Sequence, residues 1–81
     1  MATVDPDELR ARISGRLREL MLRRKVTYTS LAKEAGVSRT HVYKILNGQT
    51  SPTGDVLAKL ARALAVDPVA FLRPYRKSAD D

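Results

Sequence analysis

The sequence predicts an all-α fold, a compact bundle of five helices forming a single domain over residues 1–81. Three observations carry this. Apolar residues recur at three- and four-residue spacing in one segment after another, and no sustained apolar/polar alternation marks a strand. Cap signatures open the segments, with Asp5-Pro6, Thr27, Ser38 and Asp67-Pro68 each preceding a helical pattern. Gly36 and Gly48 follow two of the segments, where a left-handed residue would end a helix without a Cβ penalty.

The first helix is predicted over 6–24. Asp5 caps it, Pro6 takes the first helical position, and Glu8 stands three residues after the cap, as in a capping box. Leu9, Ile13, Leu17, Leu20 and Met21 share one face. The opposite face carries Arg12, Arg16, Arg18, Glu19 and Arg23, which read by default as solvated. Basic residues at the C-terminal end suit the helix dipole, and Arg23, Arg24 and Lys25 are the ones placed to neighbour a phosphate.

Thr27 caps a second helix over 28–35, and Gly36 closes it. Val37 then turns toward the core, and Ser38 caps a third helix over 39–47. There Val42, Ile45 and Leu46 form the apolar face, while Thr40, Lys44 and Asn47 point away, flanked by His41 and Tyr43. Residues 49–54 are loop by composition. A fourth helix follows over 54–64, with Val56, Leu57, Leu60, Ala61 and Leu64 as its stripe. A short fifth helix over 68–72 ends before Pro74. The tail, 73–81, lacks apolar periodicity and is expected to be mobile unless Tyr75 docks.

Composition narrows the partners. The formal net charge of +6 favours a polyanion, either nucleic acid or an acidic membrane surface. No apolar run approaches the about 20 residues that span a bilayer, and the acidic start (Asp5, Asp7, Glu8) does not resemble a signal peptide. With no cysteine and one histidine, a zinc site cannot be built and no metal is expected. No nucleophile–base constellation or phosphate-cradling glycine loop is present, so neither an enzyme nor a cofactor is expected. A cytoplasmic protein without a small-molecule ligand is expected from this reading, nucleoid-associated if its polyanion is DNA.

The window from Leu31 to Ile45 meets the needs of a helix-turn-helix. Ala32 is small enough for two helices to cross closely, Gly36 makes the reversal, and Val37, Val42 and Ile45 anchor both helices. This window and its surroundings resemble the phage-repressor-like helix-turn-helix proteins, the lambda repressor/Cro-type or XRE family. The likeness covers about Ile13 to Leu72. It rests on Thr27, Leu31, Ala32, Gly36, Val37 and Ser38, on Ile45, Asn47 and Gly48, on Pro52, and on the Leu60–Val66 run.

The resemblance implies a five-helix, lambda-repressor-like bundle that binds pseudo-palindromic double-stranded DNA as a two-fold homodimer. Its base-reading positions match Ser38, Arg39, Thr40 and Lys44. Its phosphate-anchoring positions match Tyr28, where the family often has glutamine, and Asn47 with the loop after Gly48. Thr27, His41, Tyr43, Gln49 and Thr50 join these as phosphate-contacting candidates. Ser38 also has a capping role, His41 reads equally as a surface histidine, and Tyr43 fits either a DNA backbone contact or a shield for the core edge. Val69, Phe71, Leu72 and Tyr75 fit the core and a dimer interface equally.

Where the family often pairs an arginine late in helix one with a glutamate late in helix three, this chain has Met21 and Leu46, predicted to touch as an apolar replacement. The function so implied is that of a sequence-specific transcriptional regulator. The alternatives are an antitoxin or protein-binding helix-turn-helix module acting on a co-encoded partner, and a membrane-surface role for helix one.

Overall fold

The computed structural model describes residues 4–74. Four α-helices and one 3-10 helix follow in order: α1 Pro6–Arg24, α2 Tyr28–Ala35, α3 Arg39–Leu46, α4 Gly54–Leu64 and the 3-10 helix Pro68–Phe71. Two expectations are corrected. The third helix stops at Leu46, with Asn47 as its cap residue, and the fifth is a single 3-10 turn over four residues. Ala70 and Leu72 donate to carbonyls three residues back, and Pro74, which disfavours the helical region for Arg73, prevents a longer helix.

Local caps set most helix ends. The Asp5, Thr27, Ser38 and Thr53 side chains each accept the backbone N–H three residues on, and Asp67 accepts that of Val69. The capping box expected at Asp5 forms by half, because Glu8 turns away to pair with Arg12 at 2.9 Å. A full box forms instead at Thr27, where Ser30 returns the bond to the cap N–H at 3.1 Å.

At the C-terminal ends the sequence signal is weaker. Gly36 and Gly48 take the left-handed conformation, as do Lys25 (φ 55°) and Ala65 (φ 58°), which carry a Cβ. After Lys25, Gly36 and Ala65 comes a valine: Val26, Val37 and Val66 are all half-buried against the core and donate back to Met21, Ala32 and Ala61 carbonyls. This apolar contact and bond are the usual reward of a left-handed cap, and they hold the two non-glycine residues there.

The core draws on every element. Leu17, Val42, Leu60 and Phe71 are fully enclosed, joined by Ile13, Leu31, Ala32, Ile45 and Leu64. Helix α2 packs on α3 and α4, α1 packs on α3 and α4, and the 3-10 helix closes the bundle against α1 and α4. Met21 is buried in this core and Leu46 packs against it.

Three arginines of α1 depart from the expected solvated face. Arg12 donates to the Leu72 carbonyl at 3.1 Å, Arg16 to that of Pro74 and Arg18 to that of Leu46 at 2.8 Å. Each bond joins α1 to chain far away in sequence.

Candidate nucleic-acid interface

Helix α3 is anchored along one face and open along the other. Val42 and Ile45 are buried, while Arg39, Thr40, Tyr43 and Lys44 are exposed and His41 is half-buried. The 3.6-residue period forces this division, because positions 42 and 45 share a stripe that 40, 43 and 44 cannot join. Gly36 supplies the reversal between α2 and α3 with φ 75°, and a Cβ there would meet nothing within 4 Å. The glycine is therefore favoured by backbone conformation rather than by space.

The C-terminal end of α3 is held with all its carbonyls accounted for. Gly48 donates to Ile45 at 3.0 Å and Gln49 to Lys44 at 2.9 Å, the two bonds of a Schellman turn. The next carbonyl, of Leu46, accepts from Ser14 Oγ and Arg18 Nη2 on α1. The helix is thus fastened at its end by α1.

The predicted site residues fall into distinct surroundings. Ser38 caps α3, its Oγ accepting the His41 N–H at 3.0 Å. Arg39 and Lys44 carry no intramolecular partner among the described residues, and both are exposed. Asn47 and Gln49 have exposed side chains beyond the helix end, and Thr50 is half-buried. Thr27 binds Ser30 within the α2 cap, so its hydroxyl serves the helix.

Tyr28 and Tyr43 form a pair, with ring centroids 5.8 Å apart and planes tilted by 51°. With Arg39 and Thr40 they line an open concavity between the start of α2 and the outer face of α3. Sequence reasoning took each tyrosine singly and missed the pairing. The signal was thin, since the contact depends on how α2 and α3 cross.

The residues set aside for dimerisation separate as well. Phe71 is fully buried within its own chain, which makes it core and unavailable to a second copy. Val69 and Leu72 are exposed on either side of it. Tyr75 lies outside the described residues.

The helix-turn-helix family HTH_3 matches residues 17–71, which span α2, α3 and most of the bundle. The chain belongs to this family. Two solved structures share the helix-turn-helix architecture. The restriction-modification controller protein C.AhdI from Aeromonas hydrophila superposes with a TM-score of 0.71 at 30% identity, over 74% of this chain and 91% of that one. A hypothetical transcription factor, NHTF from Neisseria, superposes with a TM-score of 0.80 at 25% identity, over 91% of this chain and 86% of that one. No curated protein matches the chain. No helix among the described residues is long and apolar enough to cross a membrane. This helix-turn-helix protein is a DNA-binding regulator of the XRE type.

Proposed function

We propose that the protein is a sequence-specific transcriptional regulator that binds a pseudo-palindromic double-stranded operator as a homodimer. The observation that carries the reading is the outer face of α3. Arg39, Thr40 and Lys44 stand exposed on a helix whose opposite face is locked into the core, and the two cations have no partner within the described chain. A major groove admits one such helix, and an arginine at its first turn is placed for the O6 and N7 acceptors of guanine.

The roles divide by chemistry. Ser38, Arg39, Thr40 and Lys44 read bases. His41, Asn47, Gln49 and Thr50 flank the helix and fix its register on phosphates, a term that supplies affinity without sequence information. Val69 and Leu72 are exposed apolar side chains suited to a two-fold contact between copies. Similarity to a restriction-modification controller and to a hypothetical transcription factor supports the regulator reading.

Selection of bound duplexes from a random pool, with sedimentation of the complex, tests this directly. The expected result is a two-fold symmetric motif occupied by two copies. Recovery of no motif would overturn sequence-specific reading, and one copy per site would overturn the homodimer.

A further inference from the structure

We infer that the Tyr28–Tyr43 concavity is a socket for the C5-methyl group of a pyrimidine, next to the base that Arg39 reads. The inference rests on the base-reading role proposed above for α3 and adds a specificity element to it. The lining is two aromatic rings, the Thr40 side chain and Arg39, three of the four residues on the outer face of α3 and Tyr28 at the start of α2.

The spacing of the rings selects the occupant. Ring centroids about 4.5–7 Å apart are those of two aromatic rings in direct contact, with no room for a flat base between them. The centroids are 5.8 Å apart and the planes are tilted by 51°, which leaves no parallel slot for a base. What the pair offers instead is the apolar outer surface of its two rings, beside an open concavity of about 310 Å³ that can admit the edge of a base, where an apolar protrusion of that edge would pack. In the major groove, the thymine methyl is the one apolar group that projects from the base edges; the other recognition points are hydrogen-bond donors and acceptors, apart from the flush C5–H of cytosine. 5-Methylcytosine displays the same methyl at the same ring position.

Position along the helix supports the assignment. Arg39 is at the first turn of α3 and Tyr43 lies one turn further on the same side, so both reach neighbouring base edges. The tyrosine hydroxyls give the same residues a rival role, donation to a phosphate oxygen, and the two roles separate experimentally. Methyl readout needs the rings, whereas phosphate anchoring needs the hydroxyls.

The test uses the full chain and the duplex motif recovered from a random pool. Each thymine is replaced in turn by uracil, which lacks only the methyl, and each cytosine in turn by 5-methylcytosine. At one position per half-site, uracil is expected to weaken binding about four-fold, the fold-change equivalent to one buried methyl group. Alternatively, the natural base there is cytosine, and its methylation tightens binding by a similar factor. Tyr43→Ala should abolish this discrimination, while Tyr28→Phe and Tyr43→Phe should retain it.

A motif indifferent to every methyl change would overturn the socket and leave sequence reading intact. Loss of affinity in the phenylalanine variants, with thymine and uracil bound equally, would assign the tyrosines to phosphates instead. A pool that yields no motif would overturn the reading of α3 itself, and the socket with it.

Discussion

On α1, Arg10 pairs with Asp7, Arg12 with Glu8 and the Leu72 carbonyl, Arg16 with Glu19 and the Pro74 carbonyl, and Arg18 with the Leu46 carbonyl. On α3, Arg39 and Lys44 reach solvent with no partner among the described residues. Both helices look alike in sequence, each an apolar stripe backed by cations. Their cations serve opposite ends. Arg12, Arg16 and Arg18 of α1 donate to carbonyls on distant chain and so tie the bundle together, whereas Arg24 at the end of the helix is exposed with no partner among the described residues. Those of α3 keep their donors available, which is what a surface for an anionic partner requires. A basic residue on a helix is therefore informative about binding only after its intramolecular acceptors are known.

Substitutions on the two helices sharpen the comparison, beginning with the largest effect. Ile45→Ala, on the anchored side of α3, is expected to destabilise the fold by about 2–5 kcal/mol, the range for a buried aliphatic truncation. In a domain of this size that is a large part of the total stability, and thermal unfolding followed by circular dichroism checks it. Arg39→Ala, on the open side of the same helix, should leave the melting temperature in place. It should weaken operator binding by about 1–3 kcal/mol and relax preference at one base pair. Unchanged affinity in a titration against the selected motif would break the assignment of α3 as the reading surface.

Arg18→Ala is the converse case. It removes one of two donors to the Leu46 carbonyl, a loss of about 1 kcal/mol, which lowers the melting temperature by roughly 4–8 °C. Binding by the folded fraction should be unaffected. If Arg18→Ala instead weakens DNA binding without lowering stability, the contrast between the two helices fails. The smallest effect is a gain. Ala65→Gly relieves a left-handed residue with a Cβ, against the extra chain entropy of glycine, and should raise stability by a few tenths to about 1 kcal/mol. Differential scanning calorimetry resolves a shift of that size.

Much of the framework was legible in the residues because helix starts are local. Asp5, Thr27 and Ser38 each act within three residues of themselves, and they set the starts of α1, α2 and α3. The open row Arg39, Thr40 and Lys44 was legible for the same reason, since helical period by itself separates it from Val42 and Ile45. The Tyr28–Tyr43 pairing was not, because it joins two helices whose crossing no short window encodes.

What the amino-acid sequence determined by itself was thus the set of helix starts, the apolar stripe of each helix and the identity of the exposed residues on α3. Tertiary structure decided the rest. It made Phe71 core rather than interface, limited residues 68–71 to a 3-10 turn, and placed Lys25 and Ala65 in left-handed caps held by buried valines. It also gave Arg12, Arg16 and Arg18 acceptors 28 to 60 residues away, while Arg39 and Lys44 have none among the described residues. The physical reason is range. Caps and periodicity act over one turn of helix, whereas a carbonyl that needs a donor, or a ring that needs a neighbour, finds it only after the chain has closed on itself.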